Sequence, residues 1–271
     1  MEKNDLQFSA VINAFTRQSV IYDDYEKENQ TLIWMRKQVR KHAMSFLNPG
    51  DKLLELNSGT GTDAVYFAQK GILVHSTDIS NGMIEQIRKK VNDNNLSHKI
   101  SFEQCSYTEL NNIKNNNFDF IFSNFGGLNC IADLREATKF FPSLLNEEGK
   151  VCLVIMPRIC PWELVNIFRG KFKYAFRRLK TSGTPAHIEG INFTTYYFSW
   201  KDVMEALGDK FVLVKLEGLA VFTPNPQMEK FQKNFPRLTQ LLNKLDESLS
   251  SYFPFNKIGD HLILTALYSS K

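Results

Sequence analysis

Residues at three places in the chain have the types and spacing for chemistry. The first is Leu53-Leu54-Glu55-Leu56-Asn57-Ser58-Gly59-Thr60-Gly61-Thr62-Asp63-Ala64, where an apolar run meets a Gly-x-Gly turn and a helical pattern follows through Val65, Phe67 and Ala68. Glycine opens backbone angles closed to other residues and lets a ligand approach the main chain, while the helix start behind it offers free N–H groups. Asp78, at the end of the next apolar run, has the spacing of an acid that takes ribose hydroxyls. The second place is Ser123-Asn124-Phe125-Gly126-Gly127, small and polar groups after another apolar run. The third holds His187, Glu189, Tyr196 and Tyr197, general-base candidates within a long irregular excursion; His187 and Tyr197 are the residues we single out as catalytic. His42, His75, His98 and His261 fall on helix, strand or loop positions expected to lie away from the site, and no metal-ligand spacing occurs.

Two ligands fit a glycine turn with an acid on the next strand: a dinucleotide and S-adenosylmethionine, each of which presents a ribose to that acid. Gly59-x-Gly61-x-x-Ala64 formally satisfies the dinucleotide pattern. Three features favour the sulfonium ligand. Glu55 puts a carboxylate at the strand end, where a ligand ammonium would be attracted and a pyrophosphate would not. The Ser123 to Gly127 turn is suited to holding a reacting carbon, and the chain closes with two further strands.

The elements that must position these residues follow from hydrophobic period. Phe8, Val11, Ile12 and Phe15 fall at helical spacing, and so do Leu32, Met35 and Val39 after Tyr22-Asp23; Asn48-Pro49-Gly50 ends the second helix. Strands are expected over 52–56, 72–77, 99–104, 118–122 and 151–156, alternating with helices. Ser80 caps one helix; Asp133-x-x-Glu136 reads as a capping box for another that carries Leu134, Ala137, Phe141 and Leu145 and closes at Gly149. Such alternation predicts a doubly wound α/β sheet. A Ser199-x-x-Asp box opens a helix toward a strand over 211–222, a helical stretch covers roughly 228–252, and His261 to Tyr268 forms a last strand, the closing pair making an antiparallel edge. The domain reading is therefore one unit over 1–271, with cap helices in 1–48, a substrate-side insertion in 157–198 and a helical insertion in 225–258.

With 271 residues, 43% of them hydrophobic, the chain can bury one large core, and a net charge of +4 assigns no partner. Cys105, Cys130, Cys152 and Cys160 read as thiols in a reducing compartment, and no apolar run approaches the ~18 residues of a membrane span, so a soluble cytoplasmic protein is expected. The stretch 164–188 holds no acid but carries Arg169, Lys171, Lys173, Arg177, Arg178 and Lys180, while Phe168, Phe172, Ala175, Phe176 and Leu179 recur at helical spacing. A solvated surface helix, peripheral contact with a membrane or lipid-like acceptor through 164–180, and RNA binding all fit. RNA sites usually spread bases over more of the chain, so nucleic acid is not an expected partner.

These motifs resemble those of the class I S-adenosylmethionine-dependent methyltransferases, small-molecule branch, over about residues 8–156. Glu55-Leu56-Asn57-Ser58-Gly59-Thr60-Gly61 looks like the family's first motif, with Asn57 where glycine is usual. Asp78-Ile79-Ser80 with Met83 is similar to the second, in which the acid takes the ribose and its neighbour packs on adenine. Gln104-Cys105-Ser106-Tyr107 aligns with the third, with Ser106 in place of a common aspartate. Ser123-Asn124-Phe125 matches the fourth, at the methyl-transfer position, and Tyr22-Asp23 resembles a segment that covers the cofactor, which makes Tyr22 and Arg36 candidates for its methionine carboxylate. The resemblance implies a seven-stranded Rossmann-like fold, mostly parallel with an antiparallel last strand and a helical cap. It also implies in-line methyl transfer to a small, apolar or aromatic acceptor at oxygen or carbon. An NAD(P)-dependent oxidoreductase and a catalytically idle cofactor-binding protein are the alternatives.

Overall fold

The computed structural model describes residues 3–113 and 117–270; positions 114–116 of the Asn-rich 111–117 loop and residues 1, 2 and 271 lie outside them. Three helices come first: α1 (Lys3–Gln18), α2 (Tyr22–Glu28) and α3 (Gln30–Met44), the last capped by the Asn29 side chain on the Leu32 N–H. Then β1 (Lys52–Leu56), α4 (Thr62–Gln69), β2 (Leu73–Asp78), α5 (Asn81–Asp93), β3 (Ile100–Gln104) and β4 (Phe118–Ser123) alternate as the hydrophobic pattern requires. Ser80 caps α5 through the Met83 N–H, as its residue type predicts.

The helix expected over 133–149 does not form. It breaks into α6 (Arg135–Thr138) and α7 (Phe141–Leu144) around Pro142, and β5 (Leu145–Ile155) begins where the helix was to end, with Gly149 inside the strand. Asp133 gives its carboxylate to the Arg135 N–H and guanidinium, so there is no capping box with Glu136. Beyond β5 come α8 (Pro161–Leu164), α9 (Phe172–Ala175), the hairpin β6 (Thr184–Ile188) and β7 (Ile191–Thr195), α10 (Trp200–Leu207), β8 (Phe211–Leu219), α11 (Glu229–Asn234), α12 (Pro236–Leu249) and β9 (His261–Tyr268). Ser199 and Asp202 form the expected capping box on α10. The helical stretch near 228–252 is two helices, divided where Pro236 opens the second.

The main sheet has seven strands in the order β3-β2-β1-β4-β5-β9-β8. All neighbours are parallel except β9, which runs antiparallel to both β5 and β8. The last strand is thus antiparallel as expected, but it lies inside the sheet, and β8 is the edge. Alternate side chains feed two apolar clusters, Leu54, Leu56, Ile121 and Leu153 in one and Leu53, Phe120, Phe122 and Val154 in the other. Above the carboxyl edge, α1 packs on the hairpin: Gln7 Nε2 donates to the Cys130 and Thr194 carbonyls at 3.0 and 2.7 Å, and the Phe15 and Phe193 rings lie 6.0 Å apart.

The basic stretch after β5 differs most from its sequence pattern. Gly170, at φ +69°, ends one turn, α9 is a single short turn, and the apolar positions 168, 172, 176 and 179 face solvent. Arg178 is buried instead. Its Nε donates to Glu163 and its Nη2 to Asp260, each at 2.8 Å, while Arg177 holds Glu163 through two bonds of 2.7 Å. Two acids outside the stretch therefore invert the expected amphipathic helix.

Candidate active site

The carboxyl ends of β1, β2, β4 and β5, the start of β9, and the roof of α1, α2 and the hairpin enclose a cavity of about 530 Å3. That size suits a cofactor-sized ligand. The glycine turn forms its floor. Gly59 is at φ +56° with open space where a side chain would stand, and Gly61, at φ +76°, packs so closely on Ile87 that a Cβ would meet the Ile87 side chain at 3.0 Å. Asn57 takes φ +44°, a left-handed conformation that asparagine tolerates, which accounts for its standing where glycine is usual. Its amide donates to the Asn124 carbonyl at 3.2 Å and accepts from the Ser123 hydroxyl at 2.8 Å, tying β1 to β4. Phe125, also lining the cavity, has φ +46°. A left-handed conformation at a bulky residue such as Phe125 is strained, and such strain clusters at functional sites.

Asp78 ends β2 with one carboxylate oxygen on the Gly59 N–H at 2.9 Å and the other on the Ser80 N–H at 2.8 Å. Burial lifts its pKa to about 6 against those bonds. Ile79, Met83, Cys105 and Tyr107 continue the wall from Asp78, and burial pushes the Cys105 thiol up to about 11. Tyr22, Arg36, Asn124 and Phe125 line the other end. Arg36 is already compensated: it pairs with Glu26 and Asp63 and lies 4.7 Å over the Phe125 ring. Burial would raise Asp63, but Arg36 and Arg40 outweigh it and hold the carboxyl low.

Four expected cofactor residues do not line this cavity: Glu55, Ser58, Gly61 and Ser106. Glu55 is buried under the turn, accepting from the Ser76 hydroxyl at 2.8 Å, and burial together with the neighbouring Asp63 raises its pKa to about 8. The raised pKa favours its neutral form, and it does not line the cavity in which a ligand ammonium would stand. Glu26, by contrast, lines the cavity, with both carboxylate oxygens accepting from Arg36. Ser58 gives its hydroxyl to the Thr77 carbonyl, and Ser106 bonds Thr108.

Of the expected catalytic pair, His187 is an exposed rim residue of β6 held by Asn192 at 2.9 Å, and Tyr197 is a buried wall residue whose hydroxyl accepts from Thr184 at 3.3 Å. Glu189 lies in the hairpin turn. The buried histidine of the cavity is His261, which the sequence reading set aside. Because β9 is antiparallel, its first residue sits on the ligand edge, next to the end of β5. His261 Nδ1 is 3.1 Å from Asp260, its ring meets Phe125 edge to face at 5.9 Å, and Nε2 has no hydrogen-bond partner among the described residues. Burial would raise Asp260, but His261 and Arg178 hold it well below the usual carboxylate range. The adjacency of Asp260 and His261, together with the expectation of an antiparallel strand, was the signal available for this pair.

An open sheet of this strand order, with a glycine turn after β1 and an acid ending β2, defines the class I S-adenosylmethionine-dependent methyltransferase fold. Residues 53–149 match the family model described as a methyltransferase domain. A demethylmenaquinone methyltransferase from Bacteroides fragilis is 34% identical over 108 residues, which cover 38% of this chain and 43% of that protein. The chain thus matches less than half the length of this curated relative. Among solved structures, the 1,6-didemethyltoxoflavin-N1-methyltransferase of Burkholderia thailandensis superposes with a TM-score of 0.62 at 14% identity, over 100% of this chain and 92% of that one. The [4+2]-cyclase SpnF does so at 0.56 and 15% identity, over 86% and 81%. A cyclase among the neighbours is a reminder that fold alone does not fix the reaction.

Proposed function

We propose that the protein is an S-adenosylmethionine-dependent methyltransferase acting on a small apolar or aromatic acceptor at oxygen or carbon. The observation that carries this reading is one cavity, inside and above the methyltransferase domain, that joins Gly59, Asp78 and Met83 to Asn124 and Phe125. The lining fits the cofactor. Asp78 accepts from ribose hydroxyls, Ile79 and Met83 flank the adenine, and Cys105 and Tyr107 extend that wall. Asn57 and Gly59 provide the floor, Tyr22 covers it, and Glu26, oriented by Arg36, takes the ammonium. Gln18 lines the same space with its Oε1 unpartnered. A dinucleotide fits less well, because the start of α4 is already occupied by acids: Asp63 in its first turn and Asp23, which accepts from the Thr60 hydroxyl at 2.5 Å.

When bound, the cofactor supplies an electrophilic methyl group, whose bond to sulfur breaks, leaving the electron pair on sulfur, as its bond to the acceptor forms. The chain's own contribution is alignment, worth up to ~7–11 kcal/mol in such displacements, and removal of the acceptor's proton. His261 takes that second role in place of His187 and Tyr197. Donation from Nδ1 to Asp260 leaves Nε2 as the free acceptor nitrogen, and Asp260, fixed by Arg178, stabilises the imidazolium that results. The four cysteines are free thiols, fitting a reducing compartment, and we place the protein in the cytoplasm.

Incubation with methyl-labelled S-adenosylmethionine and a panel of hydroquinones and phenols, read as labelled product and S-adenosylhomocysteine, tests the reading. His261→Asn should lower turnover by ~10²–10⁴-fold while leaving cofactor affinity within about threefold. Tight cofactor binding with no turnover of any acceptor would instead support an idle binding protein.

A further inference from the structure

The outer surface of the stretch between β5 and the hairpin is unlike the rest of the molecule. Phe168 is 91% exposed and Phe172 57%, and Val165, Tyr174, Phe176 and Leu179 are exposed beside them. Interleaved with these are Arg169, Lys171, Lys173 and Lys180, exposed and without an ion-pair partner among the described residues. The acids that might have neutralised the stretch, Glu163 and Asp260, are buried and consumed by Arg177 and Arg178. A large apolar patch on a water-facing surface marks an interaction site. Here the patch and the unpaired cations share one short surface, and the backbone beneath is pinned by the buried guanidinium of Arg178.

We propose that this face docks the protein on an anionic phospholipid bilayer, the exposed aromatics entering the headgroup boundary and the four free cations meeting lipid phosphates. Charge complementarity selects this occupant. In a two-fold dimer through the same face, this basic patch would meet a second copy of itself, whereas an anionic leaflet attracts each of its four cations. Aromatic residues interleaved with bases have the chemistry of an interfacial anchor. Docking is also continuous with the site, since Arg177 and Arg178 of the same stretch line the cavity. It does not depend on which cofactor the cavity holds.

The test is flotation of the full chain with vesicles of phosphatidylcholine alone and of phosphatidylcholine with 30% phosphatidylglycerol, at low and high salt. The expected result is binding to the anionic vesicles only, weakened by salt, and reduced at least ~10-fold by Phe168→Ser with Phe172→Ser and by Lys171→Glu with Lys173→Glu. Unchanged melting temperatures of both double variants show that loss of binding is not loss of fold. Wild-type protein that stays unbound at millimolar anionic lipid overturns the proposal. So does a concentration-dependent dimer that Phe168→Ser abolishes, which would give the face to a second copy.

Discussion

Asp78 and Glu55 are both buried carboxyls with raised pKa values, but they sit on opposite sides of the glycine turn, and that decides what each can do. Glu55 titrates near 8 rather than 4.5, so folding takes up a proton between those limits. Its contribution to stability is therefore greatest on the acid side and falls as pH rises from about 4.5 through 8. Glu55→Gln should flatten that slope, raise the melting temperature more at pH 8.5 than at pH 5, and leave cofactor affinity within about threefold. Thermal melts across pH, with calorimetry on the variant, check both. Asp78 lines the cavity and burial lifts its pKa to about 6, so in the proposed role protonation removes the acceptor offered to the ribose hydroxyls. Cofactor affinity should be flat above pH 7 and fall below pH 6, approaching a decade per pH unit. Asp78→Asn should weaken it at least ~10-fold at pH 7.5. At this scale the sequence singles out Asp78 by its place at the end of an apolar run, and the structure puts it on the cavity wall. Glu55, expected at the ligand ammonium, does not line the cavity, because in a strand buried on both faces the surroundings of a polar side chain depend on the neighbouring elements.

The elements themselves were read well where hydrophobic period and punctuation agreed, as in β1 to β4 and α5, and less well where a tertiary partner overrode the local pattern. Pro142 and the demand of β4 for a parallel neighbour turned an expected helix into two turns and an eleven-residue strand. The stretch after β5 has helical period, yet Glu163 and Asp260 draw Arg177 and Arg178 inward and leave the aromatics outside. No window of sequence contains both those acids and that period. Glu163→Gln would leave Arg177 without its carboxylate and Arg178 with Asp260 alone, at a cost on the order of 1–3 kcal/mol. It should lower the melting temperature and loosen the hairpin wall, read as faster amide exchange over 165–195. The antiparallel direction of β9 was expected from sequence. Its consequence, that its first residue lies on the ligand edge beside the end of β5, brings His261 into the cavity.

At the scale of the whole molecule, the seven-stranded sheet sets four strand ends and the antiparallel start of β9 under a roof of α1, α2 and the hairpin, so residues from both halves of the chain meet in one cavity. Among the described residues no helix is long and apolar enough to cross a membrane. The central claim is that this cavity takes a sulfonium cofactor and not a dinucleotide. Titration calorimetry of the wild-type chain at pH 7.5 with S-adenosylmethionine, S-adenosylhomocysteine and NADH tests it most directly. The account predicts saturable heats with both sulfur compounds, lost in Asp78→Ala, and none with NADH. Tight binding of NADH with no response to either sulfur compound would contradict it.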